Sequence, residues 1–124
     1  MNVLAQVVAV AMGCCLVVVF VLESFLFRRP ELYPLFLIEP ADTRAVRMWA
    51  VNQGFYNLCF GAAALTGVVL LHTGDATVGR TLVLFASASM AVLGVVLFVS
   101  ERRLWASALA QAVPGAVVLV AALS

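Results

Sequence analysis

Six residues have side chains able to bind a ligand or carry a proton while lying inside long apolar stretches. They are Glu23, Asn52, Gln53, Tyr56, Asn57 and Gln111. Glu23 is the one acid among them, and an acid within a membrane span marks a functional site by default, because a charge there is expensive. Arg28 follows five residues later, about 7.5 Å of helix rise. Glu23 therefore belongs to the third of its span nearest the arginines. Two readings stand: a buried, hydrogen-bonded carboxyl, or an interfacial one that reaches the headgroups or pairs with Arg28 or Arg29.

The second apolar stretch opens Trp49-Ala50-Val51-Asn52-Gln53-Gly54-Phe55-Tyr56-Asn57. At helical spacing Asn52, Tyr56, Gln53 and Asn57 fall at about 0°, 40°, 100° and 140°, which places them on one face. Carboxamides in a membrane helix face partner helices and hydrogen-bond across the contact. Gly54, Gly61 and Gly67, with Ala62–Ala64, allow a neighbour to approach closely elsewhere on the same helix. Gln111 lies eight residues beyond Arg103, with Pro114 three residues later. That proline leaves the carbonyl of Ala110 as a spare acceptor. All six residues belong to the same half of their spans, so one polar cluster can form inside a bundle. It would serve as packing glue, as a ligand or proton site, or as a catalytic site with Glu23 as acid.

Other chemistries lack their residues. Cys14 and Cys15 are adjacent and Cys59 stands alone, without the paired spacing that thiol exchange needs. His72 is the single histidine and lies toward the opposite side from Glu23, so a metal site has no ligand set. No phosphate-binding glycine loop, nucleophile triad or cofactor motif is present, and no cofactor or nucleic-acid partner is expected.

Composition shows what must position these groups. Of 124 residues, 65% are hydrophobic and 10% are charged, where a soluble domain carries roughly 25%. A water-facing surface cannot be built from this chain. Twelve of the thirteen charges cluster at residues 28–47, at Asp75 and Arg80, and at 101–103. Between the clusters lie four uncharged stretches, and about 20 apolar residues suffice to cross a hydrocarbon core. The pattern predicts an all-α, antiparallel bundle of four membrane spans near residues 3–27, 48–71, 81–100 and 104–123, forming one domain over 1–124. The first stretch begins without Lys or Arg, which a cleaved leader would need, so it reads as a retained helix. Six of the seven arginines fall in the first and third loops, which predicts cytoplasmic loops at 28–47 and 101–103 and both termini outside. Trp49 and Trp105 stand where helices leave that interface. Residues 30–42 are apolar between polar ends and carry three prolines, which suits an amphipathic segment in the interface, either a connector resting on the headgroups or a lid over a site between the helices. The likeness of Val17–Glu23 to Val95–Glu101 is of the kind that apolar sequence produces by chance.

The run Asn52-Gln53-Gly54-Phe55-Tyr56-Asn57 resembles the N-Q-G-x-Y-N signature of a family of small four-span bacterial membrane proteins known only as a domain of unknown function. Glu23 followed by Phe25, Pro30 in the first loop, and Gln111 with Pro114 match as well, and the resemblance covers nearly the whole chain. Phe27 stands where the family often has Trp, and Leu58-Cys59 where it tends to have Gly-Phe. The resemblance implies the architecture and no activity; the four spans and arginine placement lead us to expect a plasma-membrane location. Four functions follow from the residues. The first is a pocket for a small amphipathic or lipid-like ligand, built from Glu23, Asn52, Gln53, Tyr56, Asn57 and Gln111. The second is a proton-coupled transporter using Glu23, and the third an isomerase or cyclase. The fourth is an accessory subunit that buries its polar face against a membrane partner. Membrane lipid, a homo-oligomer and a membrane protein are the partners to expect.

Overall fold

The computed structural model describes residues 1–26 and 43–124. The segment read above as an interfacial connector, with Arg28, Arg29 and Phe27, lies outside them. Four helices are present: α1 (Val3–Ser24), α2 (Thr43–Thr73), α3 (Ala76–Ser100) and α4 (Trp105–Leu123), with a single 3-10 turn at Arg102–Leu104 before α4. No strand occurs among the described residues, and each helix contains a segment long and apolar enough to cross a membrane.

The helix ends depart from the sequence expectation for local reasons. Helix α1 stops at Ser24 rather than running to residue 27, because the amides of Phe25 and Leu26 both turn back onto the Val21 carbonyl at 3.0 and 3.2 Å. Helix α2 begins at Thr43, five residues inside the expected loop, although its membrane-capable part starts at Trp49. Helix α3 starts five residues before residue 81 because Asp75 is its cap, accepting from the amides of Thr77 (2.9 Å) and Val78 (3.2 Å). A carboxylate there satisfies amides that have no partner within the helix. We expect Asp75→Ala to cost about 1 kcal/mol, read as a lower thermal unfolding midpoint, and Asp75→Asn to keep most of that stability. At the other end of α3, Glu101 accepts from the amide (3.2 Å) and Nε (2.9 Å) of Arg103 and from its Nη2 (2.9 Å). Those hydrogen bonds hold the Glu101 carboxyl down at about 2, so it stays ionised in the turn that leads into α4.

Consecutive helices pack side by side and α4 returns to α1, which closes a ring. The crossings show the direction. A Cβ at Gly54 would meet Ser24 and Phe20, whereas one at Gly61 would meet the Gly13 carbonyl at 2.9 Å. Later residues of α2 thus meet earlier residues of α1, and the pair is antiparallel. Small residues occupy the other seams too: Gly67 faces Gly79 between α2 and α3, and Gly94 faces Ala108 and Ala112 between α3 and α4. Where apolar burial gains little against lipid, close backbone approach and van der Waals contact hold helices together. The interior is a column of two clusters. Ala5, Ala9, Val83, Val118 and Ala121 form the one nearer the termini, and Met12, Leu16, Ala64, Ala86 and Met90 the one nearer the arginines.

The end of the bundle bearing the termini is tied by side chains that composition did not single out. Asn2 accepts from the Ala5 amide at 2.9 Å and donates to the Ala121 carbonyl at 2.6 Å, so one carboxamide caps α1 and holds the last turn of α4. Arg80 donates to the Ala122 carbonyl at 3.1 Å. Gln6 donates to the Met1 carbonyl, which leaves its oxygen to accept from His72 Nε2 at 2.6 Å. The single histidine therefore joins α2 to α1.

Candidate functional site

On α1 the buried positions Ala5, Ala9, Met12, Leu16 and Glu23 recur at spacings of four, three, four and seven. That is the stripe one helix presents to a bundle interior. Glu23 occupies it one heptad beyond Leu16. Its residual exposure is 9%, which favours the buried reading over the interfacial one. On α2 the buried residues Ala50, Gly54, Gly61, Ala64 and Gly67 mark the inward stripe, and Asn57 falls between Gly54 and Gly61. The two stripes meet there: Asn57 Nδ2 donates to Glu23 Oε1. No donor reaches Glu23 Oε2 among the described residues.

What brings the pair together is the crossing one turn away. Ser24 Oγ donates to the Val51 carbonyl at 3.1 Å, and Gly54 lies against Ser24, with the Phe20 carbonyl 3.1 Å from where its Cβ would stand. A side chain at position 54 would push α2 off α1 at the level where Asn57 must reach Glu23. Phe20 continues the seam outward, stacking edge-on with Phe55 (centroids 4.9 Å apart) and Phe25 (5.4 Å).

The remaining expected residues are placed differently. Gln53 and Gln111 are half-buried, and neither makes a side-chain hydrogen bond among the described residues. Gln111 sits between the buried residues Ala108 and Gly115, in the inward stripe of α4. Asn52 is exposed, and so is Tyr56 at 56%. The expectation that Asn52, Gln53, Tyr56 and Asn57 share one helix-facing surface is corrected here. Their arc of about 140° is wider than the contact with α1, so one edge points inward and the other points away from the bundle.

Two polar residues were not anticipated. Ser24 gives no signal beyond its place beside Glu23. Ser87 lies in the interior with no exposure, and its hydroxyl has no partner among the described residues. The residue type would have flagged it only if the inward face of α3 were known. Cys14, Cys15 and Cys59 are free and exposed. No group of three His, Cys, Asp or Glu side chains able to hold a metal ion occurs among the described residues.

The architecture and site define an all-α protein with four membrane-capable helices and, among the described residues, one carboxyl–carboxamide pair between α1 and α2. The family model described as protein of unknown function (DUF1304) matches residues 7–123. The chain belongs to that family. No curated protein and no solved structure matches it significantly.

Proposed function

We propose that this chain is a multi-pass protein of a bacterial plasma membrane that binds a small amphipathic or lipid-like molecule at Glu23. In this reading both termini lie outside, the arginine-rich segments 28–47 and 101–103 are cytoplasmic, and the Asn52–Asn57 run is the mark of the family. The observation that carries it is the single acid of the four spans standing in the core register, with Asn57 on one oxygen and none of the described donors on the other. A carboxyl so placed is a costly way to fill a core position, and its open oxygen is suited to a hydroxyl or amine headgroup. Gln53 and Gln111 are half-buried carboxamides that make no side-chain hydrogen bond among the described residues, and they supply further hydrogen bonds to such a headgroup. Tyr56 and Asn52 face away from the bundle and lie outside this site.

Native mass spectrometry of protein extracted in mild detergent tests the reading. A small molecule should stay bound to the parent protein and be lost from Glu23→Ala and Asn57→Ala, with helical content checked in parallel. A parent protein that is empty in every gentle preparation would overturn it and leave the pair as packing.

A further inference from the structure

Asn52, Cys59, Thr66 and Thr73 recur on α2 at intervals of seven residues, and all four are exposed. Phe55, Ala62 and Val69 follow the first three by three residues each, and they are exposed as well. An unbroken stripe of alternating three- and four-residue steps therefore runs along the exposed face of α2, with Phe55 at its edge stacking on Phe20 of α1. Such a pattern seats one helix against another, and its small and weakly polar members are the types that line membrane helix contacts. Within the four membrane-capable segments, Asn52 is the one exposed Asn or Gln among the described residues. The outward faces of the other three helices are dominated by Val, Leu, Phe and Ala. Lipid is an adequate neighbour for those faces and a poor one for a carboxamide.

We propose that this face of α2 is the contact for a second copy of the same chain, with the two α2 helices parallel about a twofold axis along the bundle. Self-complementarity points to a copy rather than to a different protein. A carboxamide donates and accepts, so two Asn52 side chains related by a twofold satisfy each other, as a single core Asn does in a parallel helix pair. Copies inserted with the same orientation meet with Asn52 opposite Asn52, Cys59 opposite Cys59 and Thr66 opposite Thr66. From Trp49 to Thr73 the helix carries no Asp, Glu, Lys or Arg, so nothing repels the approach. The interface lies on the opposite side of α2 from Asn57 and does not depend on what Glu23 binds.

Cys59 supplies the test, because a twofold pair brings its two copies within the Cα separation of about 7 Å that a disulfide tolerates. The full chain carrying Cys14→Ser and Cys15→Ser is reconstituted in phosphatidylcholine–phosphatidylglycerol vesicles and oxidised with copper phenanthroline. A Cys59-linked dimer is expected on a non-reducing gel, with a yield that persists as the protein is diluted in lipid. Asn52→Leu should weaken association about tenfold, the scale of one or two membrane hydrogen bonds, and Val92→Leu on the outward face of α3 should leave it unchanged. Energy transfer between singly labelled copies gives an independent reading in case Cys59 oxidises poorly. Monomers at every dilution by both measures would overturn the proposal. So would a yield indifferent to Asn52→Leu, or a different protein held on this face in stoichiometric amount.

Discussion

Replacing Asn57 by leucine is expected to destabilise the bundle by about 1–3 kcal/mol, the cost of leaving a buried polar group without its donor. Glu23 is 9% exposed and takes its described hydrogen bond from Asn57. Leucine is close in size to asparagine, so the change removes a donor and little volume. The effect is sharper for the pair than for either residue. Glu23→Leu removes the group that needs a donor and frees the Asn57 amide, which is only half-buried and costs less to leave alone. The double variant Glu23→Leu, Asn57→Leu restores an apolar match in the core register and should recover most of the loss. A double-mutant cycle by unfolding in mixed micelles checks this. A coupling energy near zero would mean that the two side chains do not stabilise each other, and the pair would no longer explain why an acid occupies that position.

The other large effect is expected at Gly79. A Cβ there would lie 2.6 Å from the Gly67 carbonyl oxygen and 2.9 Å from the Leu71 amide nitrogen, with Leu70 Cβ at 3.1 Å. Two of these atoms are backbone, so no rotamer change makes room and the helices must separate. Gly79→Ala should cost about 1–3 kcal/mol, and Gly79→Leu should exceed that and prevent assembly of a stable bundle. Gly74 offers the contrast within the same turn. Its added Cβ would meet only the far end of Leu70, at 2.8 Å, with the next atoms at 4.0 Å. Leu70 can rotate, so Gly74→Ala should fall within about 0.5 kcal/mol of the parent. Thermal unfolding of the three variants in one detergent makes the comparison. Equal losses at 74 and 79 would refute the account of the α2–α3 seam.

Charge placement alone makes most of the architecture readable from the sequence. Apolar stretches of about 20 residues bounded by charges admit few solutions in a bilayer, where backbone groups must be satisfied within the helix. The boundaries were less readable, because caps decide them. Asp75 extends α3 toward its start, and the paired amides of Phe25 and Leu26 close α1 early. Asn2 and Gln6 give no sequence signal for a different reason. Each lies at the end of an apolar run where a polar residue looks ordinary, and its partner is on a helix distant in sequence.

The candidate site was legible as a set of residue types and not as an arrangement. Glu23 stood out by chemistry alone, and Asn57 was one of four polar residues on a broad arc. Which member of that arc would meet Glu23 depended on where α1 crosses α2. The glycines at 13, 54 and 61 and the hydroxyl of Ser24 fix that crossing. A shift of one residue in register would have turned Asn57 away and brought another side chain inward.

By itself, then, the sequence determined four apolar helices, one acid that no boundary explains, and a second helix too polar for lipid all round. Those properties follow from composition and spacing, which are local. Only the tertiary structure decided that Asn57 faces Glu23, that Asn52 and Tyr56 face away, and that Ser87 is interior. Helical periodicity gives each side chain an angle about its own axis, and the packing of a second helix is what turns that angle into inside or outside.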